Sequence, residues 1–323
     1  MKNSSFDSTR IPMPLISEGS LAQQKIISAV MSAFRSIHSA TATSPSSMQP
    51  KDLERQRKGQ ELLGKLVSPM SGLQWEPFSI GKMPAAWIRL ERGHNPHKAV
   101  LYCHGGGYTS GNLDYSRLIA SKIATATGFD VLCFEYRLAP EFQFPAPLED
   151  AISAWNYLMQ LGYGAKDIIL LGDSAGGNLA LTLTLQLRED KRFLPSRLVL
   201  LSPWTDMTCS GESYEECKES DPIITQEYMH AVRSVYAPNA DWHDPLLSPI
   251  EGSFEDFPPV MIQVGSNEVL FSDSAKLHHR LIEQGIPCRM ECWEGMWHVF
   301  QTFPIPRADK AVDSIAKFIW DTI

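Results

Sequence analysis

The chain has 323 residues, of which 43% are hydrophobic and 20% charged. That is enough for one large α/β domain with an appended cap. A net charge of −8 argues against a nucleic-acid partner and against an electrostatic anchor on an anionic membrane. No apolar run reaches the ~18–20 residues that span a bilayer. The polar stretch from Met1 to Arg10 lacks the apolar segment of a secretory signal, so a cytoplasmic location is expected.

The six cysteines, Cys103, Cys133, Cys209, Cys217, Cys288 and Cys292, read as buried reduced thiols. Cys288 and Cys292 are four apart but have no second Cys/His pair at zinc spacing, so no metal site is expected.

In chain order, Ile26, Ile27, Val30, Met31 and Phe34 fall at helical spacing. Residues 39–50, rich in Ser, Thr and Pro, read as a loop. Leu53, Leu62, Leu63, Leu66 and Val67 then suggest a further helix. These helices either pack on the body or form part of a lid. From about residue 73 short strands alternate with helices. Residues 84–90, 98–103, 130–135, 167–171, 197–201, 260–264 and 288–293 read as strands, several of them apolar without alternation, as central strands covered on both faces are. Between them lie helices over 116–127, 147–161, 175–188, 273–284 and 308–323. This alternation predicts a mostly parallel sheet with right-handed crossovers. Residues 204–245 break the pattern and are expected to leave the core and join the N-terminal helices.

The strongest local signal is Gly172-Asp173-Ser174-Ala175-Gly176, a G-x-S-x-G motif between the apolar run Ile168–Leu171 and a helix starting near Ala175. A serine on so tight a strand-to-helix turn is a nucleophile elbow. The helix N-terminus behind Ser174 favours developing negative charge. A second signal, His104-Gly105-Gly106-Gly107-Tyr108, follows the strand 98–103. Three glycines let backbone N–H groups approach a ligand, and this segment reads as an oxyanion hole. A phosphate loop would need a following Lys-Ser/Thr or a G-x-G-x-x-G, and neither is present. His104 reads as a prop of that loop.

A serine nucleophile needs a base. Where the serine sits on a nucleophile elbow, the order along the chain is Ser, acid, His. His298, in the loop after the strand 288–293, fits. His278 and His279 fall in a predicted helix, and His230 and His243 in the presumed cap. The acid belongs in the loop after the strand 260–264, which holds Glu268. Asp273 is the alternate, although it reads as a helix-start residue favoured there by the dipole.

These motifs, together with Glu135–Glu141, Phe144–Asp150, Leu201–Asp206, Asp244–Pro249 and Gly295–His298, run in order from about residue 84 to the end. The sequence resembles the hormone-sensitive-lipase-like family of α/β-hydrolases, in its bacterial esterase/lipase branch. The resemblance implies the α/β-hydrolase fold: a central, mostly parallel sheet of about eight strands flanked by helices, with a helical cap. It implies a cap from residues 1–72 plus an insertion at 204–243, and a core from 73–203 and 244–323. It implies Ser174 as nucleophile, His298 as base, and oxyanion donors at the N–H groups of Gly106, Gly107 and Ala175. It also implies no cofactor, small ester substrates of short to medium acyl chains, and frequent homodimers. The family usually has Asp where this chain has Glu268, so the loop must sit further back. Arg137, Glu141 and Asp150 read as scaffold supporting the glycine loop. Tyr108, Phe34, Trp204, Met207 and Tyr214 are candidate pocket-lining residues.

The expected chemistry is acyl transfer from a carboxylic ester through an acyl-enzyme. A lactone, amide or carbamate hydrolase would use the same triad. A non-catalytic binding member of the fold would have lost it, whereas Ser174, His298 and an acid are all present.

Overall fold

A computed structural model describes residues 15–16, 48–66 and 71–321. Helix α1 (Pro50–Leu66) precedes the strand pair β2 (Leu73–Ile80) and β3 (Met83–Leu90), and β1 is the two-residue strand Leu15–Ile16. Alternation then sets in: β4 (Asn95–Cys103), α2 (Leu113–Thr127), β5 (Phe129–Phe134), α3 (Ala146–Gln160), β6 (Ile168–Asp173), α4 (Ala175–Glu189) and β7 (Arg197–Leu201). Two helices, α5 (Ser213–Glu216) and α6 (Gln226–Tyr236), interrupt it before β8 (Val260–Gly265), α7 (Phe271–Glu283), β9 (Cys288–Trp293) and α8 (Pro306–Trp320).

The strands form one sheet in the order β1-β9-β8-β7-β6-β4-β5-β3-β2. β3 alone points against the rest of the sheet, antiparallel to both β2 and β5. The eight-stranded body is the expected one. The two-residue β1, added parallel to β9 at Cys292 and Trp293, was not anticipated. Nor was β2, whose centre carries Pro77. It is the last strand of the sheet, and an edge strand tolerates a proline because one side has no ladder partner.

The apolar runs make sense once both faces are seen. Ile168 and Leu170 of β6 pack into one core with Trp155 of α3, Leu179 of α4 and Leu277 of α7. Ile169 and Leu171 pack into the other with Ile119 and Ile123 of α2 and Val312 and Ile315 of α8. A strand with helices on both sides has no face left for polar residues. Parallel β4, β6, β7, β8 and β9 all end at one edge, and the loops leaving that edge carry the motif residues.

Helix α2 shows why the alternation was readable: Asn112 caps its start by accepting the Tyr115 N–H at 2.9 Å. Gly128 ends it in the left-handed region at φ 74°. The helical spacing at Ile26–Phe34, and Phe34 itself, lie outside the described residues.

Candidate active site

Ser174 stands between β6 and α4 with φ 55° and ψ −121°. That conformation is costly for a residue with a Cβ and persists only where the surroundings fix it. Here its N–H donates to Leu201 O at 2.8 Å, and its carbonyl accepts from the N–H groups of Trp204 and Asn178 at 3.1 and 3.2 Å. Gly176 permits the tight turn: a Cβ there would stand 2.0 Å from Cys103 O. Ser174 occupies the N-cap position of α4, yet its hydroxyl makes no capping bond. The helix start is thus left without a side-chain cap on its dipole.

The glycine loop leaves β4 beside this turn. Asp173 is fully buried and gathers the Gly105 N–H at 2.9 Å, the Tyr102 hydroxyl at 2.6 Å and the Tyr115 hydroxyl at 3.1 Å. Burial pushes its pKa up against those donors. Gly106 has φ 111°, and a Cβ there would lie 2.3 Å from Ser110 O. Its carbonyl is engaged by the Ser110 N–H at 3.0 Å, which closes the turn. The N–H groups of Gly106, Gly107 and Ala175 donate to no acceptor among the described residues. His104 is the prop expected. Its Nδ1 lies 2.8 Å from Gly105 O, its ring stacks on Tyr136 at 4.1 Å, and burial draws its pKa down to about 4, so it stays neutral.

His298 follows β9, and Glu268 follows β8. Both are buried, and His298 Nδ1 lies 3.3 Å from Glu268 Oε2. Neither atom has a partner in full hydrogen-bond alignment. The pair is a carboxylate–imidazole contact that becomes an ion pair when the imidazole takes a proton, and contacts of this kind tighten as charge develops in the complex. Glu268 solves the problem of its extra methylene by folding back, so that its Oε1 accepts the Gly265 N–H at 3.2 Å. Burial pulls the His298 pKa down, but the Glu268 carboxylate, then Asp221 and Asp173, outweigh it, and the net shift is upward. The two loops are interlocked: Gly295 N–H donates to Ser266 Oγ at 2.8 Å and Asn267 N–H to Met296 O at 2.9 Å. Ser202 Oγ, after β7, takes the Val299 N–H at 3.1 Å.

Asp273 is placed elsewhere. Its Oδ2 accepts the N–H groups of Thr205 and Asp206 at 2.8 and 3.0 Å, holding the loop after β7. Burial, with the charge of Asp206, pushes its pKa up to about 7. It sits in the first turn of α7, as expected, but is spent on a distant loop rather than on the helix's own N–H groups. His278 lies against Cys288, His279 pairs with Glu283 and His243 with Glu251.

The expected lining residues pack inward. Trp204 and Met207 have no exposed surface, and the Trp204 indole N–H donates to Asp206 O. Tyr214 is buried against the same core. Tyr108 gives its hydroxyl to Asn178 at 2.7 Å and stacks on Tyr236 of α6 at 4.0 Å. Nearer the glycine loop are two α6 side chains that sequence reasoning did not select: a Cβ on Gly107 would meet Val232 Cγ1 at 3.0 Å and the Tyr228 hydroxyl at 3.3 Å. Gln56 of α1 donates to that hydroxyl at 2.6 Å. Arg57 donates to Thr109 O and Ala139 O and forms a bidentate pair with Glu141. Glu141 thus reaches the glycine loop through Arg57, while Arg137 pairs with Asp150 and Glu149. Asn178 lies one turn of α4 beyond Ser174 of the elbow motif. Its amide, donating to Trp204 O and Leu247 O at 2.8 Å each, shows why that position is polar.

Among the described residues no helix is long and apolar enough to cross a membrane, and no cluster of His, Cys, Asp or Glu is arranged to hold a metal. The family model described as the alpha/beta hydrolase fold matches residues 100–302. An acetyl-hydrolase of Streptomyces hygroscopicus is 33% identical over 81% of this chain and 86% of its own length. An esterase of Acinetobacter venetianus is 32% identical over 68% of this chain and 73% of its own. The crystal structure of an esterase from the bacterial hormone-sensitive lipase family superposes with a TM-score of 0.85 at 33% identity, covering 95% of this chain and all of the other. The chain belongs to the α/β-hydrolase family, in its bacterial hormone-sensitive-lipase branch, and is a serine hydrolase of the esterase and lipase type.

Proposed function

We propose that the chain hydrolyses carboxylic esters of short acyl chains through a Ser174–His298–Glu268 triad. The observation that carries the triad is the 3.3 Å contact of buried Glu268 with His298, the His298 loop being bonded through Val299 to Ser202, next to the Leu201 carbonyl that accepts the Ser174 N–H. In this reading His298 takes the Ser174 proton as the hydroxyl attacks the ester carbonyl. The oxyanion meets the free N–H groups of Gly106, Gly107 and Ala175, each such donor worth about 3–4 kcal/mol in the transition state. His298 then gives the proton to the leaving alcohol, and water repeats the cycle on the acyl-serine. Helix α1 and residues 204–243 serve as the cap over this site. Their Gln56–Tyr228 and Arg57–Thr109 bonds support that assignment. Six free thiols, four of them buried, fit a reducing cytoplasm.

The short-chain preference rests on α6. Val232 and Tyr228 stand directly over Gly107, where an acyl chain leaving the carbonyl would pass. The similarity to an acetyl-hydrolase agrees with it. A panel of p-nitrophenyl esters of increasing acyl length, with lactones and amides beside them, tests the substrate class. Fluorophosphonate labelling located by mass spectrometry tests the nucleophile: the label must fall on Ser174. In the same panel Val232→Ala should raise kcat/KM for octanoate relative to acetate by about 10-fold, the worth of a methylene or two of pocket space. An unchanged ratio would remove α6 from the acyl wall.

A further inference from the structure

The acid loop is held from outside by the insertion that precedes β8. Val269 follows Glu268 directly, and both of its main-chain polar groups are bonded to insertion side chains. Its N–H donates to Asp221 Oδ2 at 3.0 Å, and its carbonyl accepts from Ser213 Oγ at 2.5 Å. Asp221 is buried, and its other oxygen accepts the N–H groups of Ile223 and Ile224 at 2.8 and 3.2 Å. Ser213 is locked to Ser272 in turn: each residue's N–H donates to the other's hydroxyl, at 2.8 and 2.9 Å. Every donor and acceptor in this clamp is therefore satisfied by a fixed partner, the condition for a site held to fractions of an ångström.

We propose that Asp221 is a positioning residue for the triad: with Ser213 it pins the Val269 main chain and so holds the Glu268 carboxylate against His298. The insertion is then a working part of the catalytic acid's support as well as a lid. The proposal rests on the reading of Glu268 as the triad acid. Glu268 bridges only its own loop, through Gly265, and His298. Beyond the clamp, the loop on the Val269 side is held by its own main chain, through the Phe271 N–H on Glu268 O and the Ser274 N–H on Leu270 O, each at 3.2 Å, and the clamp is what ties it to the insertion. Asp221 also adds negative charge near the imidazole. The groups that face His298 are Glu268 from the loop after β8, Asp221 from the insertion and Asp173 from β6, and all three favour its protonated form.

The test is kcat, KM and the pH profile of kcat/KM for Asp221→Asn and Ser213→Ala on p-nitrophenyl acetate, with active enzyme counted by fluorophosphonate titration. Asp221→Asn keeps the shape, loses the charge and leaves an amide NH2 facing either the Val269 N–H or those of Ile223 and Ile224, so that one arm of the clamp must break. It should lower kcat by about 10²-fold, the scale of a small misplacement of a catalytic group, leave KM unchanged, and move the acid limb to lower pH. Ser213→Ala should lower kcat less and leave the limb where it is. If Asp221→Asn does not fold, the kcat of Ser213→Ala carries the test. A folded Asp221→Asn with wild-type kcat, wherever its acid limb falls, or a folded Ser213→Ala with wild-type kcat, overturns the clamp. Glu268→Gln in the same series separates the two readings: wild-type kcat there overturns the triad acid itself, whatever Asp221 does.

Discussion

Replacing Ser174 with Ala is expected to lower kcat by about 10⁶-fold, as loss of a triad serine does in other serine hydrolases, with the fold unchanged. The fold should survive because what pins residue 174 is main chain. The bonds to Leu201, Trp204 and Asn178 use the N–H and carbonyl that alanine also has. Alanine bears the same φ of 55° at the same cost. The hydroxyl caps nothing, so its removal leaves no helix N–H newly orphaned. Burst kinetics on p-nitrophenyl acetate, with near-ultraviolet circular dichroism as the control, check it. A variant that turns over at more than a small fraction of the wild-type rate would falsify the nucleophile assignment.

The elbow was readable in the sequence because everything it needs is local. The apolar run Ile168–Leu171, the small residues at 172 and 176 and the helix behind them lie within one short stretch, and their constraints are steric. The glycine loop was readable for the same reason. Strand β2 escaped because Gln74, Glu76, Pro77 and Ser79 break the apolar pattern, and an edge strand has no second ladder to forbid a proline. Asp221 and Ser213 escaped for a different reason. Their significance lies in bonds to Val269, 48 and 56 residues away, and in an irregular segment no periodicity marks such a pairing. The same holds for Val232 and Tyr228. Helix α6 is an ordinary amphipathic helix until the fold lays it over Gly107. Asp273 shows the converse. A carboxylate in a helix's first turn has a sufficient local explanation, yet here it holds a loop 67 and 68 residues away in sequence.

Glu268→Gln against Asp273→Asn is the comparison that decides the acid. Glu268→Gln should cost about 10⁴-fold in kcat, the loss seen when a triad acid is neutralised. The amide can still fold back on Gly265, but it no longer stabilises the imidazolium that forms as Ser174 attacks. The pH profile should change with it. His298 must be neutral to accept the serine proton, so activity falls as pH drops through its pKa. The carboxylates around it raise that pKa above the ordinary 6.5, so the wild-type acid limb of kcat/KM should lie above that value. Glu268→Gln removes the largest of the charges raising it and should draw the limb down. Asp273→Asn should do neither, because its partners are the N–H groups of Thr205 and Asp206 and the amide oxygen can still accept from them. Its effect should be on stability. A carboxyl whose pKa is raised from 3.8 to about 7 on folding binds its proton more tightly in the native state. Stability is then lost as pH climbs between those two values, and the loss stays in full above the upper one. Melting temperatures taken at pH 5 and pH 8 should therefore converge in Asp273→Asn relative to wild type. Were Asp273→Asn instead to abolish turnover while Glu268→Gln kept it, Asp273 would be the triad acid and the assignment of Glu268 would fall.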